Sequence, residues 1–362
     1  MKKKLIILSG LVISIVVVLF IFVSCQGTTT SEASSTTAAE ASSTTVAEAG
    51  VDSSAVAGDN STCADCHNDT TLIVSKEVQY SNSVHGTGLN FERNTAACAI
   101  CHTSEGFTER IAAATGKLEV AEDAPAIQNA SPVNCRTCHN IHDTYTKADW
   151  ALKTTSAVTI QLTGDVYDKG GSNLCVNCHQ PRIDYTVPKA GGGDVEITSA
   201  RYGPHYGVQS TMLLGVGGYG EYKGSNVHYD AVEEGCISCH MTDSAFGKQA
   251  GGHTLKMSYI FHEAKTEFLA GCLKCHEDLE TFDRNGVQTE TAALVEELHS
   301  LLVKQGLLDA ETGSGIVGTF SSEQLGALWN YKTVEGDKSG GVHNPGYTKF
   351  LLQTGIDALK GK

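Results

Sequence analysis

Six pentapeptides of the form Cys-x-x-Cys-His punctuate the chain: CADCH (63–67), CAICH (98–102), CRTCH (135–139), CVNCH (175–179), CISCH (236–240) and CLKCH (272–276). They begin 35, 37, 40, 61 and 36 residues apart and use 12 of the 13 cysteines. The thirteenth, Cys25, lies upstream at the end of an apolar segment, so no cysteine remains for a disulfide framework. One CxxC alone would serve zinc or thiol redox chemistry equally well. Six copies, each followed at once by histidine, require a chemistry that uses all three residues together.

Two thiols three positions apart can each form a thioether with one of the two vinyl groups of a single porphyrin. The adjacent imidazole then stands where it can ligate the iron from the proximal side. The motifs therefore predict six covalently bound haem c groups. Cys63 and Cys66, Cys98 and Cys101, Cys135 and Cys138, Cys175 and Cys178, Cys236 and Cys239, and Cys272 and Cys275 would attach them. His67, His102, His139, His179, His240 and His276 would be the proximal ligands. From residue 62 to the end, 301 residues would serve six macrocycles, about 50 each. Porphyrin faces then replace side-chain layers, which accounts for the weak apolar periodicity between residues 62 and 286.

Eight of the 14 histidines lie outside the motifs. Six are expected as distal ligands: His85 in SVHGTG, His142 three residues past CRTCH, His205 in GPHYG, His228 in SNVHYD, His253 in GGHT and His343 in GVHNP. His253 follows two glycines, which would let the backbone approach a flat macrocycle. His299 sits inside an amphipathic helical stretch and reads as structural, and His262, in YIFHEAK, is left open. Met212, Met241 and Met257 are alternative ligands that would raise the potentials, whereas bis-histidine ligation implies low-potential carriers.

The first 25 residues place three lysines before an apolar run from Leu5 to Val23, ending in Phe22-Val23-Ser24-Cys25. This is the charged-then-apolar pattern of an export signal, with Cys25 as the lipid-bearing residue of a lipoprotein. An uncleaved signal anchor is the other reading, and either would tether the chain outside the cytoplasm, in the periplasm or at the outer cell surface. Residues 25–61 form a Ser/Thr/Ala/Glu-rich stretch with the tandem EASSTTAA and EASSTTVA, which reads as a disordered spacer. With 26 basic and 41 acidic residues, the net charge is −15, and removal of residues 1–24 makes it −18. Such a surface excludes nucleic acid as a partner, because phosphate binding needs a basic face.

The expected organisation is a signal segment (1–24), a spacer (25–61), a haem-binding region (62–286) and a C-terminal helical region (287–362). Residues 289–305 carry Leu294, Val295, Leu298, Leu301 and Leu302 on one helical face. Ser321 with Gln324 reads as a capping box, and Asn344-Pro345 as the cap and first residue of a final helix. The longest gap between motifs holds RYGPHYGVQSTMLLGVGGYG (201–220), a cysteine-free stretch with one histidine and a run of glycines.

CRTCHNIHDTYTKADWAL, NLCVNCHQPR, RYGPHYGVQSTML, GCISCHM, GGHT and GVHNPGY together resemble multihaem cytochromes c of anaerobic respirers. That group is related to the nitrite reductase and hydroxylamine oxidoreductase superfamily. The resemblance covers about residues 62–355. It implies a mainly α, haem-packed fold with short helices and long loops, a C-terminal helical bundle and closely paired bis-histidine haems. The chain departs from the pentahaem nitrite reductases, whose catalytic motif ends in lysine, because all six motifs here end in histidine. The leading expectation is an electron relay that serves other cytochromes, a membrane quinol oxidase or an extracellular acceptor. A homo-oligomer or a stacked filament is among the states the sequence allows. The competing expectation is a reductase of a small nitrogen or sulfur oxyanion, with Arg201, Tyr202, His205 and Tyr206 around an open iron.

Overall fold

The computed structural model describes residues 66–67, 72–112, 125–243 and 249–361. The export segment, Cys25, the spacer and Cys63 lie outside the described residues. The chain is mainly helical, with short helices, long loops and three two-stranded sheets among the described residues. No helix among them is long and apolar enough to cross a membrane.

Up to residue 243 the helices are brief: α1 (Leu72–Ser81), α2 (Val84–Thr87), α3 (Ala96–His102), α4 (Ser104–Ala112), α5 (Cys135–Cys138), α6 (Asn173–Val176), α7 (Gln209–Leu214), α8 (Val227–Ala231) and α9 (Cys236–His240). Helices of one or two turns do not persist on propensity alone. Side-chain caps start several of them. Ser83 accepts from Gly86 N at 2.9 Å ahead of His85, and Asn226 accepts from His228 N at 3.1 Å. Asn134 and Thr137 form a reciprocal capping box around the CRTCH turn. The caps thus fall beside the residues that carry the chemistry.

Apolar burial in this half is thin. Between residues 72 and 157 only Ala99, Ile100 and Phe107 are buried hydrophobic side chains among the described residues. A small second cluster of Val158, Ile160, Tyr167 and Val176 packs around the hairpin of β1 (Val158–Thr159) and β2 (Val166–Tyr167).

The C-terminal third is built conventionally. Strand β3 (Asp194–Ile197) precedes a hairpin of β4 (Ser258–Phe261) and β5 (Ala264–Glu267), and then come α10 (Val287–Lys304), β6 (Gly318–Ser321), α11 (Ser322–Asp337) and α12 (Pro345–Lys360). The Ser321–Gln324 capping box opens α11, and the Asn344 side chain accepts from Tyr347 N at 3.1 Å to open α12. Helix α10 buries Leu298 and Leu302 on one face. By contrast α11 is buried on all sides, with Leu325, Leu328, Trp329, Asn330 and Val334 enclosed, which makes it the central helix.

The core of this region does not stop at residue 287. Ile197, Tyr202, Val208 and Met212 join Leu298, Leu328, Trp329 and Leu351 in one cluster, and β3 pairs antiparallel with β6 from Asp194↔Ser321 to Ile197↔Gly318. The glycine run explains how the long gap reaches the helices. A Cβ on Gly218 would meet Leu351 Cδ2 at 2.2 Å, and one on Gly326 would meet the Tyr219 ring at 2.3 Å. Having no sheet partner, this segment is bonded by helix side chains instead. Tyr219 N donates to Asn330 Oδ1 (2.7 Å), Asn330 Nδ2 donates to Tyr219 O (3.0 Å), and Trp329 Nε1 donates to Gly217 O (2.8 Å).

Asn330 also donates to Leu351 O at 3.0 Å and is fully buried. Replacing it with alanine leaves Tyr219 N and Tyr219 O without their side-chain partner, while Leu351 O stays within the ladder of α12. Each unsatisfied buried group costs about 1–3 kcal/mol, so Asn330→Ala is expected to lower stability by roughly 2 kcal/mol or more, read as a drop in thermal midpoint.

Candidate functional site: six histidine pairs

Each described motif winds one α-turn. His139 N, His179 N and His276 N each bond back to the first cysteine carbonyl of their own motif at 2.9 Å, while CAICH and CISCH lie within α3 and α9. Residues three and four apart on such a turn share a face, so both thiols and the imidazole point the same way. The eleven described motif cysteines are all free thiols.

Across from every motif histidine stands a second imidazole. The ring centres are 6.0 Å apart for His67–His142, 6.1 Å for His85–His179 and 6.3 Å for His102–His205. They are 6.2 Å apart for His139–His253, 6.2 Å for His228–His276 and 6.3 Å for His240–His343. The six separations agree within 0.3 Å over six unrelated surroundings. A metal ion between two imidazoles accounts for the spacing: two bonds of about 2 Å, plus roughly 1 Å from each nitrogen to its ring centre, come to about 6 Å.

The outer ring nitrogens identify the tautomers. His139 Nδ1 donates to Trp150 O (2.7 Å), His228 Nδ1 to Val342 O (2.8 Å) and His240 Nδ1 to Leu255 O (2.9 Å). His179 Nδ1 bonds Gln209 Oε1 (2.9 Å), and His343 Nδ1 bonds Asp337 Oδ1 (2.7 Å). An oxygen acceptor holds the proton on Nδ1 and leaves the Nε2 lone pair available, which is the support a metal-ligating histidine normally has. His142 differs: Arg136 Nη2 lies 3.2 Å from its Nδ1, so a ligating His142 would have to turn Arg136 aside. His253 Nδ1 is buried with no partner at all.

Desolvation favours the neutral form of several of these rings. Desolvation pushes His85, His205 and His253 down to about 4, and draws His102, His240 and His276 below the usual imidazole range. For His343 desolvation acts downward too, but the Asp337 carboxylate against its Nδ1 outweighs it and the net shift is upward. At neutral pH the six downward-shifted imidazoles present lone pairs rather than charges.

No three His, Cys, Asp or Glu side chains among the described residues converge on a common point, which disfavours zinc at the CxxC thiols. Two opposed imidazoles cannot enclose a bare ion. They need the remaining ligands from a macrocycle, and the paired thiols beside each motif histidine are the groups that would tether one. At the five motifs described in full, the residues present fit a c-type haem.

Thiols of different motifs also lie close together. Cys101 neighbours Cys178, and Cys175 neighbours Cys236, so CVNCH lies near both CAICH and CISCH.

The other residues singled out in the sequence sit elsewhere. His299 packs on Tyr331 (5.8 Å) and His262 on Phe261 (4.2 Å) in a hairpin turn, and neither faces a motif histidine. Met212 is wholly buried in the C-terminal core. Tyr202 is a core residue between Tyr185 and Trp329 and Arg201 is exposed, while the exposed Tyr206 packs on the His205 ring at 5.6 Å. The glycines before His253 make room for protein: added Cβ atoms would meet Phe268 Cε1 at 2.5 Å and Gln79 Oε1 at 2.6 Å. Trp150, Gln209, Leu255, Val342 and Asp337, which hold the rings, carry no sequence signature. Their role depends on contacts as distant as the 114 residues from His228 to Val342.

No protein-family model matches the chain. Over 133 residues it is 31% identical to the C-type polyheme cytochrome OmcB of Geobacter sulfurreducens, in strains DL-1 / KN400 and ATCC 51573 / DSM 12127 / PCA. That match covers 32% of this chain and 16% of the relative, so the aligned part spans about a sixth of the relative's length. The crystal structure of the Outer Cell Wall Cytochrome OcwA superposes with a TM-score of 0.49 at 20% identity, over 78% of this chain and 50% of that one.

Proposed function

We propose that this chain is an exported multihaem c-type cytochrome that carries six haem c groups and relays electrons outside the cytoplasm. The carrying observation is that every CxxCH histidine faces a second imidazole at a two-ligand spacing. Bound haem supplies one-electron chemistry, and imidazole on both axial sides suits transfer rather than substrate binding. The similarity of a third of the chain to a protein described as a polyheme cytochrome supports the same reading.

In this reading the motif cysteines hold the groups, and the motif histidines with His85, His142, His205, His228, His253 and His343 take the axial positions. The Nδ1 acceptors set each ring's orientation and keep its outer proton in place. The closeness of CVNCH to its two neighbours brings three attachment points together, which favours passage along the chain of sites. The export-type N-terminus supports a place in the periplasm or at the outer surface, held near a membrane. Other cytochromes, a membrane quinol oxidase and an extracellular acceptor are the partners that chemistry suits.

The test is spectroscopic. Purified protein is expected to give six haems per chain by pyridine haemochrome and only low-spin ferric EPR signals, unchanged by cyanide or nitrite. His205→Ala should convert about one sixth of the iron to a high-spin form that binds carbon monoxide. A high-spin signal in the wild type that nitrite or sulfite perturbs would instead identify a reductase.

Asp337 adds a second expectation. Its carboxylate behind the Nδ1–H of His343 makes that ring a stronger donor and favours the oxidised state. Asp337→Asn should raise one reduction step by roughly 59 mV, a tenfold change in a one-electron equilibrium, in a potentiometric titration.

A further inference from the structure

We propose that the buried guanidinium of Arg110 sets the reduction potential of the two adjoining sites, His102–His205 and His85–His179, so that electrons collect there. This rests on the haem reading above and adds a residue that no motif marks.

Arg110 lies on α4, immediately after the CAICH helix, and is 6% exposed. Its Nη1 donates to Asn177 O at 2.8 Å, and its Nη2 lies 3.4 Å from Asn177 Oδ1. Asn177 is the residue before Cys178 in CVNCH, so one side chain grips the second motif's helix to the fourth motif. Neighbouring Cys101 and Cys178 both lie within reach of its charge. Its third donor, Nε, is buried with no acceptor. No described carboxylate pairs with it, although the chain holds 41 acidic residues.

A buried, unpaired cation is costly, and a plain structural clamp would be cheaper with a neutral amide. The charge has a use if negative charge arrives beside it. An electron added next to Arg110 is stabilised through a low-dielectric interior, where attraction is strong and salt screens little. Two more of the chain's six arginines, Arg93 and Arg182, act on His102 and His205. Both are exposed, and Arg182 is paired with Asp184, so their fields are screened where that of Arg110 is not.

The experiment is a potentiometric titration of the holoprotein, followed by visible absorption and EPR, with haem counted in each variant. Arg110→Gln should move the two highest-potential steps down by at least tenfold in equilibrium constant, or 59 mV for a one-electron couple, and leave the other steps in place. Arg110→Lys, which keeps the charge, should stay near the wild type. Asn177→Asp keeps the guanidinium and sets a carboxylate against it, so it should reproduce the downward shift and decides the matter if Arg110→Gln does not mature. Unchanged potentials in Asn177→Asp at full haem content would reduce Arg110 to a clamp and overturn the proposal. Wild-type protein without covalent haem would sink the functional reading itself, a separate and recognisable outcome.

Discussion

The structure depends on imidazoles that face one another from distant parts of the chain. The six pairs join residues separated by as few as 48 positions, between His228 and His276, and as many as 114, between His139 and His253. Closing loops of that length costs only slowly more entropy as they lengthen. A bond that closes them can therefore replace much of the apolar burial that a chain of this size would otherwise need. That is the sense of a stretch from residue 72 to 157 with three buried hydrophobic side chains among its described residues.

Two building principles meet in one polypeptide. The first is a set of capped single turns, each presenting thiols and a ring, with loops returning a second ring to face it. The second is three long helices around α11, packed by ordinary apolar layers. The join between them is polar and specific. Asn226 donates to Leu213 O (2.8 Å) and to His343 O (2.9 Å), and His228 donates to Val342 O. The helical region thus supplies His343 and steadies His228, so it is part of the site and not an appendage to it.

The local chemistry was legible in the sequence because it is local. Cysteines at i and i+3 with histidine at i+4 describe one helical turn, and the capping residues of α11 and α12 lie within three positions of the groups they satisfy. The six histidines that face a motif histidine all come from the eight outside the motifs. Their supports were not legible in the sequence. Asp337, Gln209 and the carbonyls of Trp150, Leu255 and Val342 are ordinary residues whose importance comes from where folding leaves them. The glycine run at 215–220 does not name its neighbour: its space is taken by Leu351 and neighbouring helix side chains, a contact no local pattern announces.

The sequence by itself determined the number and position of the attachment motifs, the absence of spare cysteine, the acidic balance and the ends of the long helices. These follow from residue type and short-range spacing. Only the tertiary structure decided which histidine faces which, that Arg110 joins the helix after the second motif to Asn177 of the fourth, and that it is buried there with no carboxylate partner among the described residues. Those facts depend on long-range packing, in which loops of 48 to 114 residues close on one another, and a linear pattern carries no record of such closures.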